Sequence, residues 1–273
     1  MTGPQITYLA DGRLHLNHGP IDLICEAWGT PPAVVLAYQR AISRFATVLP
    51  ELAAELPALR AENAALHGAI ARKMAAAVAP FRPQFVTPMA AVAGAVAETI
   101  LAQMTGPGIQ RAYVNNGGDI ALHLGPGATL TAALGTSRDR VTLRDTDSAR
   151  GIATSGWGGR SHSLGIADCV TVLAKTAAMA DAAATMIANA VNIDHPAITR
   201  APACDLQADS DLGQRLVTVN VGPLTAAKVA QALDNGLAAA TTYCNLGLIT
   251  SAALFLQSNA RILGPLLLEP AHA

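Results

Sequence analysis

The stretch ATSGWGGRSHSLGIADCVTVLA, residues 153–174, places many hydroxyl groups and glycines directly before an apolar segment. Its first eleven residues include three serines, one threonine, three glycines, one arginine and one histidine. Gly156, Gly158 and Gly159 permit a loop whose backbone amides face an anion or a polar ligand. The last six residues, CVTVLA, are typical of a short buried strand. The stretch therefore predicts a ligand-binding loop that leads into a strand.

Strand and helix patterns outside this stretch form separate groups along the chain. Strand-like segments fill residues 6–28 and most of 111–174, whereas residues 32–79, 87–104 and 176–192 have helical periodicity. Because strands and helices do not alternate strictly, the pattern favours an α+β fold with mixed or antiparallel sheets over a doubly wound sheet.

Composition limits the class of function. Only 14% of residues are charged, and the formal net charge is −1. The charged residues are scattered along the chain without a run of like charge. Nucleic-acid binding and polybasic membrane binding both need a clustered positive field, so neither is expected. The four cysteines are far apart and lack a CxxC pair, which indicates free thiols in a reducing compartment. The first residues lack the pattern of a signal peptide, so we expect a cytoplasmic protein.

The uncharged stretch at residues 235–260 has the length of a membrane span. Polar residues such as Thr241, Asn245 and Gln257 interrupt it, whereas a span is predominantly apolar over about 20 residues. We therefore predict a buried helix, or a helix pair with a tight connection, and no membrane association.

Two further segments carry polar residues that a hydrophobic core does not require. NNGGD, at 115–119, is typical of a hairpin in which Asn116 and Gly117 supply the two positive-φ positions. ADAAAT, at 180–185, places Asp181 and Thr185 on one face of a helix. A carboxylate beside a hydroxyl suits a hard cation such as Mg²⁺, and a solvated polar stripe is the alternative.

Taken in order, NNGGD, GIATSG (151–156), the apolar strand and ADAAAT resemble motifs of the ApbE superfamily of FAD-dependent FMN transferases. A resemblance to a cytosolic ApbE-like family extends over nearly the whole chain, through HGPIDLI (18–24), TPMAAVAGAVAE (87–98) and SDLGQRLVTV (210–219). The resemblance implies an ApbE-like fold with two intertwined lobes, a flavin nucleotide ligand (FAD or FMN), and Mg²⁺.

The resemblance also implies roles for individual residues. Asp181 and Thr185 would bind Mg²⁺, together with a backbone oxygen near Ala153. The small face of the helix that follows Pro88, which includes Gly94, would permit close approach of a backbone or a ligand. The ligand would be bordered by seven residues: Asn116, Gly117, Gly118, Asp119, Thr154, Ser155 and Gly156.

The loop after GIATSG departs from the family pattern, because a His-rich segment that ends in Asp-Pro is missing. We expect His162 to replace the family's histidine as a general acid/base near neutral pH, beside Ser161 and Ser163. Arg160 could hold a carboxylate or phosphate with two parallel hydrogen bonds. A loop histidine that only satisfies a neighbouring carbonyl is an equal alternative for His162.

Three functions remain open at this stage. The first is Mg²⁺-dependent FMN transfer from FAD to a serine or threonine of an acceptor protein. The second is an enzyme that acts on a small carboxylate or heterocyclic metabolite through Arg160 and His162. The third is a non-catalytic flavin-binding or maturation protein. A shared scaffold does not by itself decide among them.

We expect one domain over residues 1–273, with possible lobes at 1–110 and 111–273. The alanine-rich helices favour homo-oligomer contacts, because small side chains permit close helix approach.

Overall fold

A nine-stranded sheet forms the centre of the computed structural model, which describes residues 3–133 and 140–265. Its strand order is β1-β2-β3-β4-β5-β8-β9-β12-β13. Two hairpins, β6–β7 and β10–β11, lie outside this sheet. The strands are β1 (Gln5–Tyr8), β2 (Leu14–His18), β3 (Ile21–Gly29), β4 (Ile109–Asn116), β5 (Asp119–Leu124), β6 (Thr129–Ala133), β7 (Arg140–Arg144), β8 (Gly151–Ser155), β9 (Cys169–Ala174), β10 (Ile198–Pro202), β11 (Leu216–Val221), β12 (Ser251–Leu256) and β13 (Asn259–Leu263).

Helices follow the strands in separate groups. They are α1 (Pro31–Ala54), α2 (Leu56–Leu59), α3 (Ala69–Val78), α4 (Val92–Met104), α5 (Ala177–Ala190), α6 (Ala203–Leu206) and α7 (Ala226–Asn245). A single turn of 3-10 helix, Pro88–Ala91, leads into α4.

The predicted α+β class is confirmed. Neighbouring strands of the large sheet pair antiparallel throughout. The predicted lobe boundary after residue 110 falls inside β4, which begins at Ile109 and pairs with β3. The division into lobes at 1–110 and 111–273 stays a prediction.

The two faces of the sheet pack against different partners, because consecutive strand residues point to opposite sides. Ala121, Ala153 and Val172 belong to a large hydrophobic cluster that they form with the helices. Leu122 and Ile152 belong to a smaller cluster on the opposite face, which the β6–β7 hairpin completes. The helical face is therefore the side on which side chains of β5 and β8 can meet α4 and α5.

Helix α5 is buried around most of its circumference. Of its 14 residues nine are buried, and seven of those nine are alanines. Alanine combines high helix propensity with a small side chain, so α5 can contact the sheet and neighbouring helices at once. Asp181 stands in the middle of this helix, where an ionisable residue is unexpected.

Two sequence predictions were wrong in detail. Residues 235–260 are not a helix pair, because α7 ends at Asn245 and the strands β12 and β13 follow. The β4–β5 turn uses Gly117 and Gly118, whose φ values are +65° and +115°. Asn116 instead pairs with Asp119 as the last residue of β4, which turns both side chains toward the helical face.

Within residues 3–133 and 140–265, no helix is both long and apolar enough to cross a bilayer.

Candidate functional site

Three distant segments of the chain meet on the helical face of the sheet. Strand β5 pairs with β8 through Ile120 and Ile152, which brings NNGGD next to GIATSG. The backbone N–H of Thr154 donates to Oδ1 of Asp119 over 3.2 Å. Helix α5, which carries ADAAAT, packs against β8 and β9. The three segments therefore lie next to one another on this face of the sheet.

Asp181 is fixed by the first turn of α4. Its Oδ2 accepts a hydrogen bond from the backbone N–H of Gly94 over 2.9 Å, and the nearby N–H of Ala93 also favours the charged form of this carboxylate. These N–H groups have no partner within their own helix, and the positive end of the helix dipole favours a nearby negative charge. Asn116 contacts the same turn, because its Nδ2 donates to the carbonyl of Ala93 over 3.1 Å.

Helix α4 in turn supplies a carboxylate, that of Glu98, to the first turn of α5. Its Oε1 accepts from the N–H of Ala178 over 2.7 Å, in the first turn of α5. Its Oε2 accepts from Nζ of Lys73 over 2.6 Å. Each of the two helices therefore supplies a carboxylate to the N-terminus of the other. This reciprocal contact sets where Asp181 lies, and sequence reasoning missed Glu98 entirely.

Asp119 and Asp181, here called the acidic pair, influence each other electrostatically. Burial raises the pKa of Asp119 to about 7, against a smaller opposing effect of the Thr154 N–H. Burial also raises the pKa of Asp181 well above its usual value, and repulsion by the Asp119 charge raises it further. The N–H groups of Gly94 and Ala93 act in the opposite direction but do not restore an ordinary pKa. A cation that replaced the bound proton would relieve this repulsion.

The acidic pair should make stability depend on pH. Because both pKa values are raised on folding, the folded protein retains protons that the unfolded chain releases, so the free energy of unfolding falls as pH rises from about 4 through 7. Asp119→Asn removes one ionisable group. In the absence of divalent cations, the melting temperatures of both proteins should fall between pH 5 and pH 8. We expect the fall for Asp119→Asn to be smaller than the fall for wild type by at least about 3 °C.

Scanning calorimetry in EDTA at both pH values measures this difference. Asp194→Asn is a matched control, because Asp194 is exposed. An equally steep loss of melting temperature in Asp119→Asn and wild type would contradict the raised pKa of Asp119.

The carboxylate oxygens of the acidic pair are of the type that a small, hard cation prefers. Thr185 lies one turn after Asp181 on α5 and is half-buried, and Ala153 is buried on β8. No group of three or more His, Cys, Asp or Glu side chains converges within the described parts of the chain. Mg²⁺ is commonly held by one or two carboxylates, with water molecules and substrate phosphates completing its oxygen ligands. The acidic pair supplies two such carboxylates. Thr185 and a backbone oxygen near Ala153 stay predicted ligands.

Arg160 and Ser163, both in the loop after GIATSG, contact different parts of the protein. Arg160 is exposed, and its Nη2 donates to the carbonyl of Pro20 over 3.1 Å. Its guanidinium also lies beside the β4–β5 turn, since a Cβ on Gly117 would be 3.3 Å from Nη1. Arg160 thus adjoins the predicted ligand border. Ser161 is exposed and His162 is half-buried in the same loop.

Ser163 packs toward the far end of α5. Its Oγ donates to Oδ1 of Asn189 over 3.2 Å and accepts from the N–H of Gly165 over 3.2 Å. Asn189 lies eight residues beyond Asp181, which is about 12 Å along a helix. Ser163 therefore orders the loop, and the catalytic roles of Ser161, His162 and Ser163 stay predictions.

A protein-family model matches most of the chain. The model of a protein family described as AbpE bacteria matches residues 6–262. A UPF0280 protein of Methanococcoides burtonii is 38% identical over 120 residues, which is 42% of this chain and 51% of that protein. A UPF0280 protein of Methanothermobacter thermautotrophicus is 42% identical over 111 residues, which is 39% of this chain and 43% of that protein. The matched part thus spans about half the length of these curated relatives.

A solved structure matches with lower similarity. The crystal structure of the Pseudomonas stutzeri flavinyl transferase ApbE, in its apo form, has a TM-score of 0.35 and 13% sequence identity. The match covers 88% of this chain and 73% of that protein.

Proposed function

Since the chain belongs to the family described as AbpE bacteria, we propose that it binds a flavin nucleotide beside the acidic pair and transfers FMN from FAD to a protein. The observation that carries this proposal is the meeting of Asp119 and Asp181, which three separate segments bring together. An acidic pair with raised pKa values is a feature more typical of a functional site than of a hydrophobic core.

The charges around the pair explain why a cation would be needed. The FAD diphosphate is an anion, and two carboxylates would repel it. Mg²⁺ would be held by Asp181, Thr185 and a backbone oxygen near Ala153, and when bound it neutralises charge on the diphosphate. Arg160 adds one positive charge beside the Gly117–Gly118 turn. The flavin nucleotide would be bordered by this turn, by Asn116, and by Thr154, Ser155 and Gly156.

The proposed reaction is phosphoryl transfer without oxidation or reduction. The hydroxyl oxygen of an acceptor serine or threonine forms a bond to the phosphorus of the FMN half. The bond from that phosphorus to the oxygen of the AMP half breaks, and AMP leaves. The acceptor hydroxyl loses its proton to a base, for which His162 is the candidate in the adjoining loop.

Incubation with FAD and Mg²⁺ tests the proposal. We expect AMP to be released, detected by liquid chromatography, and FMN to become attached to a hydroxyl side chain of an acceptor protein. EDTA should stop both. The absence of both AMP release and FAD binding, the latter measured by calorimetry at millimolar Mg²⁺, would overturn the proposal. Binding without turnover would favour the non-catalytic flavin-binding or maturation protein.

A small carboxylate as substrate is a second candidate, favoured by the position of Arg160. The guanidinium is exposed beside the turn that borders the site, where it could bind a carboxylate. Binding of small carboxylates that is lost in both Arg160→Gln and His162→Gln, without any FAD binding, would support this alternative. Cytoplasmic location and homo-oligomeric assembly remain predictions for either function.

A further inference from the structure

Strand β1 is a free edge of the large sheet. It stands at one end of the strand order, and among the strands that the structure describes only β2 pairs with it. All four of its residues, Gln5–Tyr8, are exposed. A free edge presents a row of unpaired backbone N–H and C=O groups, which can pair with a strand of another chain. The β1 edge is therefore able to extend the sheet into a second molecule.

The β1–β2 hairpin fixes which backbone groups of β1 point outward. Its residues pair so that Tyr8 lies opposite Leu14. One step along the same register, the N–H of Leu9 donates to the carbonyl of Arg13 over 2.8 Å. Hydrogen-bonded and non-hydrogen-bonded pairs alternate along an antiparallel ladder, so Tyr8 and, two residues before it, Ile6 are in non-hydrogen-bonded pairs. The N–H and C=O groups of these two residues therefore face away from β2, toward the free edge.

Strand β1 lacks two of the devices that protect sheet edges, charged side chains and a β-bulge. Residues 3–10 carry no charge, and the nearest charged residue, Asp11, is paired with Arg13 over 2.7 Å. The β1–β2 register is regular. The opposite edge strand, β13, carries Arg261, and charged side chains on an edge keep other strands away. Two copies of β1 can therefore approach without repulsion between like charges, although Pro4, which has no N–H, ends the pairing before the strand begins.

Exposed apolar side chains adjoin the unpaired backbone. Ile6 is 44% exposed and Tyr8 is 58% exposed, and both lie on the helical face, since they are paired with the buried Leu16 and Leu14. The ring of Tyr8 lies against that of Tyr38 on α1, with centroids 6.1 Å apart. A single exposed apolar residue is common on protein surfaces. Two of them on one face of an unpaired strand would be covered together if another strand were added.

We propose that β1 pairs antiparallel with β1 of a second copy of this chain, around a two-fold axis beside Thr7. In this register Ile6 lies opposite the partner's Tyr8, and the outward N–H and C=O groups of both residues are all satisfied. Each such contact sets a β-branched residue against an aromatic one, which is a favourable cross-strand pair, and Thr7 lies opposite the partner's Thr7. A register shifted by two residues places Tyr8 opposite the partner's Pro4, or Ile6 opposite the partner's Ala10, outside the strand. The strand is therefore complementary to itself in one register.

Sedimentation velocity at protein concentrations from about 5 to about 500 µM tests the self-association, which should be weak because the paired segment is short. Thr7 is exposed, so it can be replaced without disturbing the core. Thr7→Lys places two lysines directly opposite each other, and we expect the dimer affinity to fall about tenfold or more. Thr7→Glu should have the same effect. An equimolar mixture of the two variants should recover the wild-type affinity to within about threefold, because opposite charges then face each other.

Two controls separate this interface from other sites. Thr199→Lys, at an exposed position of the separate β10–β11 hairpin, is the matched control and should leave the dimer affinity unchanged. Asp181→Asn should dimerise as wild type does, because β2, β3 and β4 lie between β1 and the strand that carries Asp119. The interface therefore does not depend on the proposed flavin site.

Amide hydrogen exchange gives a second measurement, which needs no variant. The N–H groups of Ile6 and Tyr8 should exchange more slowly at high protein concentration, whereas the N–H of Thr7, which faces β2, should change less. A wild-type protein that stays monomeric up to about 500 µM would overturn the proposal. The same conclusion would follow from equal dimer affinity in wild type and Thr7→Lys, or from a mixture of the Lys and Glu variants that associates no better than either variant alone.

Discussion

Replacing Asp181 with asparagine is expected to lower the rate of AMP release from FAD by at least about 100-fold, because a neutral amide cannot supply the charge that holds Mg²⁺. The substitution keeps the size of the side chain and leaves one oxygen that can accept from the Gly94 N–H. It also removes the repulsion between Asp119 and Asp181. The variant should therefore fold, and its melting temperature at pH 8 without divalent cations should not fall below that of wild type.

Rates measured over a range of Mg²⁺ concentrations distinguish a role of Asp181 in Mg²⁺ binding from a role in capping the N-terminus of α4. Thr185→Val should raise the Mg²⁺ concentration required, with a smaller loss of rate, since it removes only a neutral oxygen. Asp194→Asn should behave as wild type. A folded Asp181→Asn protein with the wild-type rate and the wild-type Mg²⁺ requirement would show that Asp181 does not bind the metal.

Asp119 and Asp181 stand out in the sequence because short motifs carry them. A carboxylate and a hydroxyl four residues apart in a run of alanines are conspicuous in the sequence. The environment of Asp181 could not be predicted in the same way. Its contact with Gly94 joins residues 87 positions apart, and the contact of Glu98 with Ala178 joins residues 80 apart. Such contacts follow from how two helices pack, and no local pattern encodes them.

The fold was predictable where strand and helix periodicities differ and ambiguous where they do not. Alternation identified β2 and β3, and the alanine-rich segments identified α4 and α5. Residues 251–256, SAALFL, form a strand with five of six residues buried, and a continuous apolar run of this kind looks the same in a buried helix. The same limit explains why 235–260 was predicted as helix throughout.

Gly94→Ala is expected to destabilise the protein by about 3 kcal/mol or more, although alanine is the better helix former. Helix propensity alone would favour alanine by about 1 kcal/mol. A Cβ on Gly94, however, would lie 2.2 Å from the carbonyl oxygen of Ala177 and 2.7 Å from the backbone nitrogen of Ala178. Backbone atoms cannot rotate away as a side chain can, so α4 and α5 would have to separate.

That separation would also stretch the two hydrogen bonds that hold the acidic site together, from Gly94 to Asp181 and from Ala178 to Glu98. Scanning calorimetry should therefore show a melting temperature lower by about 6 °C or more, with weaker Mg²⁺ binding in the protein that remains folded. Gly158→Ala is the matched control, because a Cβ there has no heavy atom within 4 Å. A Gly94→Ala protein as stable as Gly158→Ala would mean that the two helices do not approach as closely as the reciprocal contact requires, and the position of Asp181 would then have to be set by another element.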